Sequence, residues 1–148
     1  MNVEKIIKTT AEISLEKRTL IHLSLVHNKV NEQISFFLKP FEISLQQFNV
    51  LRILRGQKGK PANLSTINER MVTKMSNTTR LVDKLIKKGY VIRSICAHNR
   101  RKVEIKITHQ GLNFLNDIDG MLFEKEKQIL NNFTKSELEQ FNRLLDKF

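Results

Sequence analysis

The stretch "SNTTRLVDKLIKKGYVIRS", Ser76 to Ser94, changes period halfway along. In its first part Thr78, Leu81, Val82 and Leu85 recur at three- and four-residue spacing and form one inner face of a helix. Asn77, Arg80 and Lys84 fall on the outer face, with Ser76, Thr79 and Lys87 beside them. Lys87 and Lys88 suit the negative end of a helix dipole, and Gly89 suits a left-handed cap. After Gly89 the period becomes two, as in a strand: Tyr90 and Ile92, then Val91 and Ile95, alternate with polar residues. The helix spends its first turn on Ser76, Asn77, Thr78 and Thr79, which are mediocre helix formers. That choice makes sense if this end touches something hydrogen-bonding and anionic.

Downstream, "KVEIKIT" puts Val103, Ile105 and Ile107 on one side and Glu104, Lys106 and Thr108 on the other. "AHNRRK" lies between the two strands as a polar turn with three consecutive cations, so the pair reads as a β-hairpin with a basic tip. Upstream, "NLSTINERM" is a short helix with Leu64, Ile67 and Met71 inward. "SLQQFNVLRILRGQ" opens with Ser44 and Gln47 in capping-box positions. Phe48, Leu51 and Leu54 or Arg55 follow at helical spacing, and Gly56 can close the helix. Two helices joined by a tight turn at 64–71 and 76–88 match a helix-turn-helix, whose second helix enters the DNA major groove. Ser and Thr hydroxyls bond phosphate or bases, Asn pairs with adenine and Arg with guanine.

Longer helices flank this core. Leu15 to Leu38 carries Leu23, Val26, Val30, Ile34 and Leu38 on one face and ends before Pro40. "THQGLNFLNDIDGMLFEKEKQILNNF" spaces Leu115, Leu122 and Ile129 seven apart with Ile118 between, and Gly111 and Gly120 weaken it locally. Thr134 and Glu137 make a second capping box, ahead of Leu138, Phe141, Leu145 and Phe148 on one face. The expected fold is mainly α with a small β-hairpin wing.

The 148 residues are 40% hydrophobic and 28% charged, with net charge +11 and a pI of about 10.0. The charge is localised: residues 52–110 hold fifteen Lys/Arg against Glu69, Asp83 and Glu104, whereas the rest holds eleven basic and twelve acidic residues. A basic centre between nearly neutral arms suggests a polyanion-binding module, nucleic acid first and an anionic surface second.

No apolar run approaches the ~18 residues of a membrane span. Charges interrupt the first twenty residues, so no signal-peptide core is present, and the single Cys96 fits a reducing compartment. A cytoplasmic location is expected. No catalytic constellation, P-loop or dinucleotide motif is present. His22, His27, His98 and His109 are scattered, Cys96 has no partner motif, and neither metal nor cofactor is implied.

With these pieces in order, the chain resembles the MarR-type bacterial transcription regulators. The resemblance rests on Thr79-Arg80-Leu81-Val82-Asp83-Lys84-Leu85, then Lys88-Gly89-Tyr90-Val91-Ile92-Arg93. Asn99-Arg100-Arg101 follows, leading into Ile107-Thr108 and Gly111, and "SLQQFNVLRIL" matches the helix preceding that core. It extends over residues 15–148. It implies a single domain: a winged helix-turn-helix core at 44–109, with dimerisation helices at 15–40 and 110–148. It further implies a homodimer on a pseudo-palindromic site of double-stranded DNA.

The matching positions give the expected DNA-binding residues. These are Lys74, Ser76, Asn77, Thr79, Arg80 and Lys84 on the helix side, and Asn99, Arg100, Arg101 and Lys102 on the wing. Two positions depart from the family's pattern. Asn99 stands where the wing usually has an Asp that holds its arginine, and Lys74 stands where an acidic residue is common. Redox members of the family carry their sensing cysteine near the N-terminal arm, where this chain has none. Many members take a small-molecule effector in a cleft between arms and lobe. Phe36, Phe37, Phe41 and Phe48 sit where such a cleft would be lined, or else are plain core.

These features point to a sequence-specific transcription regulator, repression being the favoured direction and release by a small molecule an option. A non-specific, architectural nucleic-acid binder is the alternative. A winged-helix module for an acidic protein partner is the third reading, and an enzyme is the last.

Overall fold

The computed structural model describes residues 1–74, 77–96 and 99–148, and only the backbone of 96 and 99–102. The order of elements is α1 Val3–Ile6, α2 Leu15–Leu38, a 3-10 turn Lys39–Phe41, α3 Leu45–Gly56, α4 Leu64–Arg70, α5 Thr78–Lys87, β1 Val91–Cys96, β2 Asn99–Ile107, α6 His109–Ile129 and α7 Lys135–Leu145. It is a mainly helical chain with one antiparallel β-hairpin, as the periods indicated.

Local chemistry fixes most helix starts. Ser44 Oγ accepts the Gln47 amide at 3.2 Å, while Gln47 Oε1 accepts the Ser44 amide at 2.9 Å. Thr134 and Glu137 form the second capping box at the head of α7. Asn63 caps α4 by accepting the Thr66 amide at 2.8 Å. Both stops fall where the sequence put them. α2 ends at Leu38, before Pro40, which lies in the following 3-10 turn that Glu42 ends by turning left-handed at φ 53°. α3 ends at Gly56, but the left-handed turn falls later, at Lys58 and Gly59.

The core lies where α3, α4, α5, the hairpin and α6 meet. Phe48, Leu51, Leu54, Ile67, Val82, Leu85, Val91, Ile105, Leu115 and Ile118 are all buried there. Complete burial of each such side chain is worth roughly 1.5–3 kcal/mol. Leu54, not Arg55, is the inward residue of α3. Arg55 instead reaches Asp119 of α6 at 2.5 and 3.3 Å.

In the hairpin Val91 pairs with Ile107, Arg93 with Ile105 and Ile95 with Val103. Ala62 adds a short third rung, exchanging backbone hydrogen bonds with Ile105 at 2.9 and 2.7 Å. This ties the loop before α4 to the wing. The Ile105 side chain closes the core beneath it.

One joint sets the wing against the helices. The Gly89 amide bonds the Ile86 carbonyl at 2.9 Å and the Tyr90 amide bonds the Leu85 carbonyl at 3.1 Å, a paired C-terminal cap with Gly89 left-handed at φ 75°. Thr108 then donates its hydroxyl to the Gly89 carbonyl at 2.7 Å, donates its amide to the Tyr90 carbonyl at 3.0 Å, and accepts the Gly111 amide at 3.0 Å. The end of α5, the start of β1 and the start of α6 are thereby held at one point.

α1 has no counterpart in the sequence reading. Val3 is buried against α2, and the Glu4 carboxylate accepts from Arg18 Nε at 2.6 Å.

Candidate nucleic-acid interface

The inner face of α5 is the expected one: Thr78, Leu81, Val82 and Leu85 are buried. Packing of those residues leaves the opposite face outward. Asn77, Thr79, Arg80, Lys84 and Lys87 are exposed, and so is Lys74 in the turn before the helix. Thr78 is the one member of the polar quartet turned inward among those described. Its hydroxyl donates to Asn68 Oδ1 at 3.3 Å and fastens the first turn of α5 to α4. Ser76 lies outside the described residues.

Asn77 occupies the N-cap of α5, yet its side chain makes no capping hydrogen bond. Ser14, Ser44, Asn63, Thr108 and Thr134 at the corresponding positions of α2, α3, α4, α6 and α7 all do. Asn77 and Arg80 are thus both exposed at the N-terminal, positive end of the helix dipole. A surface of this kind accepts phosphate and base edges.

Sequence reasoning did not find the partner of this surface on the wing. Arg93 of β1 sets Nη2 2.8 Å from Asp83 Oδ1 on α5. The pairing needs the strand register, which no local pattern supplies. The only hint was an acidic residue placed amid cations on the outer face.

The wing backbone begins earlier than expected. Cys96 pairs with Asn99 while Ile95 pairs with Val103, so the register shifts there and Arg100, Arg101 and Lys102 belong to β2 instead of to the turn. The side chains of Asn99, Arg100, Arg101, Lys102 and Cys96 lie outside what the structure describes, as does His98.

The four phenylalanines separate into three environments. Phe48 is core, 1% exposed, and Phe36 is 76% exposed. Phe37 and Phe41 begin a row of rings that continues through Phe114 to Tyr90, with centroids 5.7, 6.2 and 4.6 Å apart; the first pair is tilted, the second edge-on and the last stacked. Phe36 borders an open depression of about 470 Å³ with Ser35, Lys39, Glu42, Ile43 and Ser44. At its edge Glu42 pairs with Lys88 at the end of α5, 3.3 Å apart.

Among the described residues no group of three His, Cys, Asp or Glu is placed to hold a metal ion. Among the described residues no helix is long and apolar enough to cross a membrane.

Comparison with known proteins agrees with this geometry. The model of the MarR family matches residues 43–103. The regulator PecS of Dickeya dadantii is 28% identical over 130 residues, which cover 86% of this chain and 75% of PecS. The fold is shared with a mutant of Escherichia coli MarR complexed with operator DNA, at a TM-score of 0.77 and 22% identity over 99% of this chain and 98% of that one. It is shared too with Bordetella bronchiseptica BpsR, whose DNA binding is regulated by 6-hydroxynicotinic acid, at a TM-score of 0.79 and 15% identity over 93% and 98% of the two chains.

Proposed function

The chain carries a MarR-family winged helix-turn-helix domain, and from that premise we propose that it is a cytoplasmic, homodimeric transcriptional repressor that binds a pseudo-palindromic DNA operator. The observation that carries this reading is α5. Its inner face is fully committed to the core, while Asn77, Thr79, Arg80 and Lys84 stand outward at an N-terminus whose cap side chain is unspent. Arg80 and Asn77 read bases, Lys74, Thr79 and Lys84 hold phosphate, and the wing cations from Arg100 to Lys102 reach the flanking backbone or minor groove. The operator complex of the E. coli relative supports the same placement of the fold on DNA.

The homodimer is supported by what the arms leave uncovered. No residue of α7 is buried, and Phe141, Leu144, Leu145 and Phe148 are exposed together with Phe123 and Phe133. So extended an apolar face marks an association surface. In this division residues 15–40 and 110–148 pair two copies, and 44–109 bind DNA. Two lobes then address half-sites about 34 Å apart, so an effector that rotates the arms releases the operator. The control of BpsR by a small pyridine acid supports that option. The open depression beside Phe36 is where to look for it.

The test is selection of binding sites from a random duplex pool. The winner and a scrambled control are then titrated at several salt concentrations. An enriched inverted repeat that binds ~10³-fold or more above the control supports the proposal. Steeply salt-dependent binding without enrichment refutes base reading in favour of an architectural role, and no binding leaves the acidic-protein partner as the reading to pursue.

A further inference from the structure

Asp83 occupies an awkward place. At 100° per residue it lies about 60° around α5 from Arg80 and about 40° from Lys87, in the middle of the outward face. Residues three and four apart on a helix are neighbours, so a free Asp83 carboxylate would have Arg80 on one side and Lys87 on the other. It could pair with either, and its charge would oppose an approaching phosphate. It does neither, because Arg93 reaches across from β1 and sets Nη2 2.8 Å from Oδ1. The carboxylate remains 47% exposed and the guanidinium 33% exposed, so both still lie at the surface.

We propose that Arg93 is a positioning residue for DNA binding that acts through Asp83: it neutralises the one acid on the reading face and leaves Arg80 and Lys87 free for DNA. The inference rests on the DNA-binding role proposed above. It gives Arg93 a function other than direct phosphate contact, and it makes the wing strand part of the reading helix's electrostatics. Like charges brought together at an interface are costly, so the effect falls on affinity and not on the fold.

The experiment compares four full-length proteins: wild type, Arg93→Met, Asp83→Asn and the double variant. Each is titrated with the selected operator across salt concentrations and run on a heparin column, which needs no operator. The proposal expects Arg93→Met to bind about tenfold or more weakly at low salt. It expects Asp83→Asn to bind at least as well as wild type, and the double variant to return to the wild-type level. Heparin elution should follow the same order.

If the double variant stays as weak as Arg93→Met, with a salt slope shallower by about 0.9, Arg93 touches phosphate itself and the proposal is wrong. If Asp83→Asn loses as much as Arg93→Met, the pair merely braces the wing, and the proposal is equally wrong. A wild type that binds heparin but prefers no duplex sequence overturns the operator reading alone, and the heparin series still decides the role of Arg93.

Discussion

Gly111 and Gly120 lie in the same helix and should respond to alanine in opposite directions. A Cβ built on Gly111 would collide with the carbonyl oxygen of Tyr90 and come within 2.8 Å of Ile107 Cγ1. That carbonyl cannot retreat freely, because it accepts the Thr108 amide at 3.0 Å in the joint between β1 and α6. A Cβ on Gly120 would meet nothing within 4 Å. Alanine improves helix propensity by up to about 1 kcal/mol at either position. At Gly111 that gain opposes overpacking of about 1–3 kcal/mol and the weakening of a hydrogen bond worth about 1 kcal/mol.

The expected net result is a loss of roughly 1–3 kcal/mol for Gly111→Ala, and a change between zero and a gain of about 1 kcal/mol for Gly120→Ala. At about 2–4 °C per kcal/mol for a chain of this size, the two melting temperatures should bracket that of the wild type. Urea unfolding followed by far-UV circular dichroism, at one fixed protein concentration because association shifts apparent stability, measures both. If Gly111→Ala unfolds at the same urea concentration as the wild type or higher, the close packing of α6 on β1 is refuted.

Arg80→Ala should weaken binding to the selected operator by about 1–3 kcal/mol and barely change binding to a scrambled duplex; equal losses by titration would deny it a base-reading role. Ser44→Ala should cost about 1 kcal/mol in urea unfolding, since it removes one half of the α3 capping box. Glu4 is held below its ordinary pKa of 4.5 by its hydrogen bond with Arg18. Its contribution to docking α1 is therefore complete above pH 4.5 and is lost as pH falls through the lowered value. Amide protection at residues 3–7, taken relative to the intrinsic exchange rate at each pH, should fall over that acid range in the wild type, and Glu4→Gln should flatten the dependence.

What could be read in the sequence was whatever rests on period and local capping. The bounds of α2, the inner faces of α4 and α5, the strand alternation after Gly89 and both capping boxes depend on residues within four positions of one another, and the structure repeats them. The outward set Asn77, Thr79, Arg80 and Lys84 was legible for the same reason: it is the complement of the buried stripe. What escaped depends on long-range partners. α1 is four residues long and is held by an ion pair fourteen residues away. The Ala62–Ile105 rung and the Asp83–Arg93 pair require the tertiary register. The helix stop at Gly56 was legible, but the left-handed turn was not: glycine permits that conformation without demanding it, and here Lys58 and Gly59 adopt it.

The wing sheet is asymmetric. β2 is flanked on both sides, by β1 and by the Ala62 rung, whereas the outer edge of β1 pairs with no other strand among the described residues. That edge presents six extended residues with Ile92 52% and Ile95 67% exposed. Open, apolar strand edges invite edge-to-edge self-assembly, and a charge in mid-strand is a common safeguard. In β1 the only charge is Arg93. Replacing it to probe DNA binding therefore also removes the strand's guard against aggregation, and low-yield preparations of an Arg93 variant would reflect the solubility of the wing and not a failure of the core to fold.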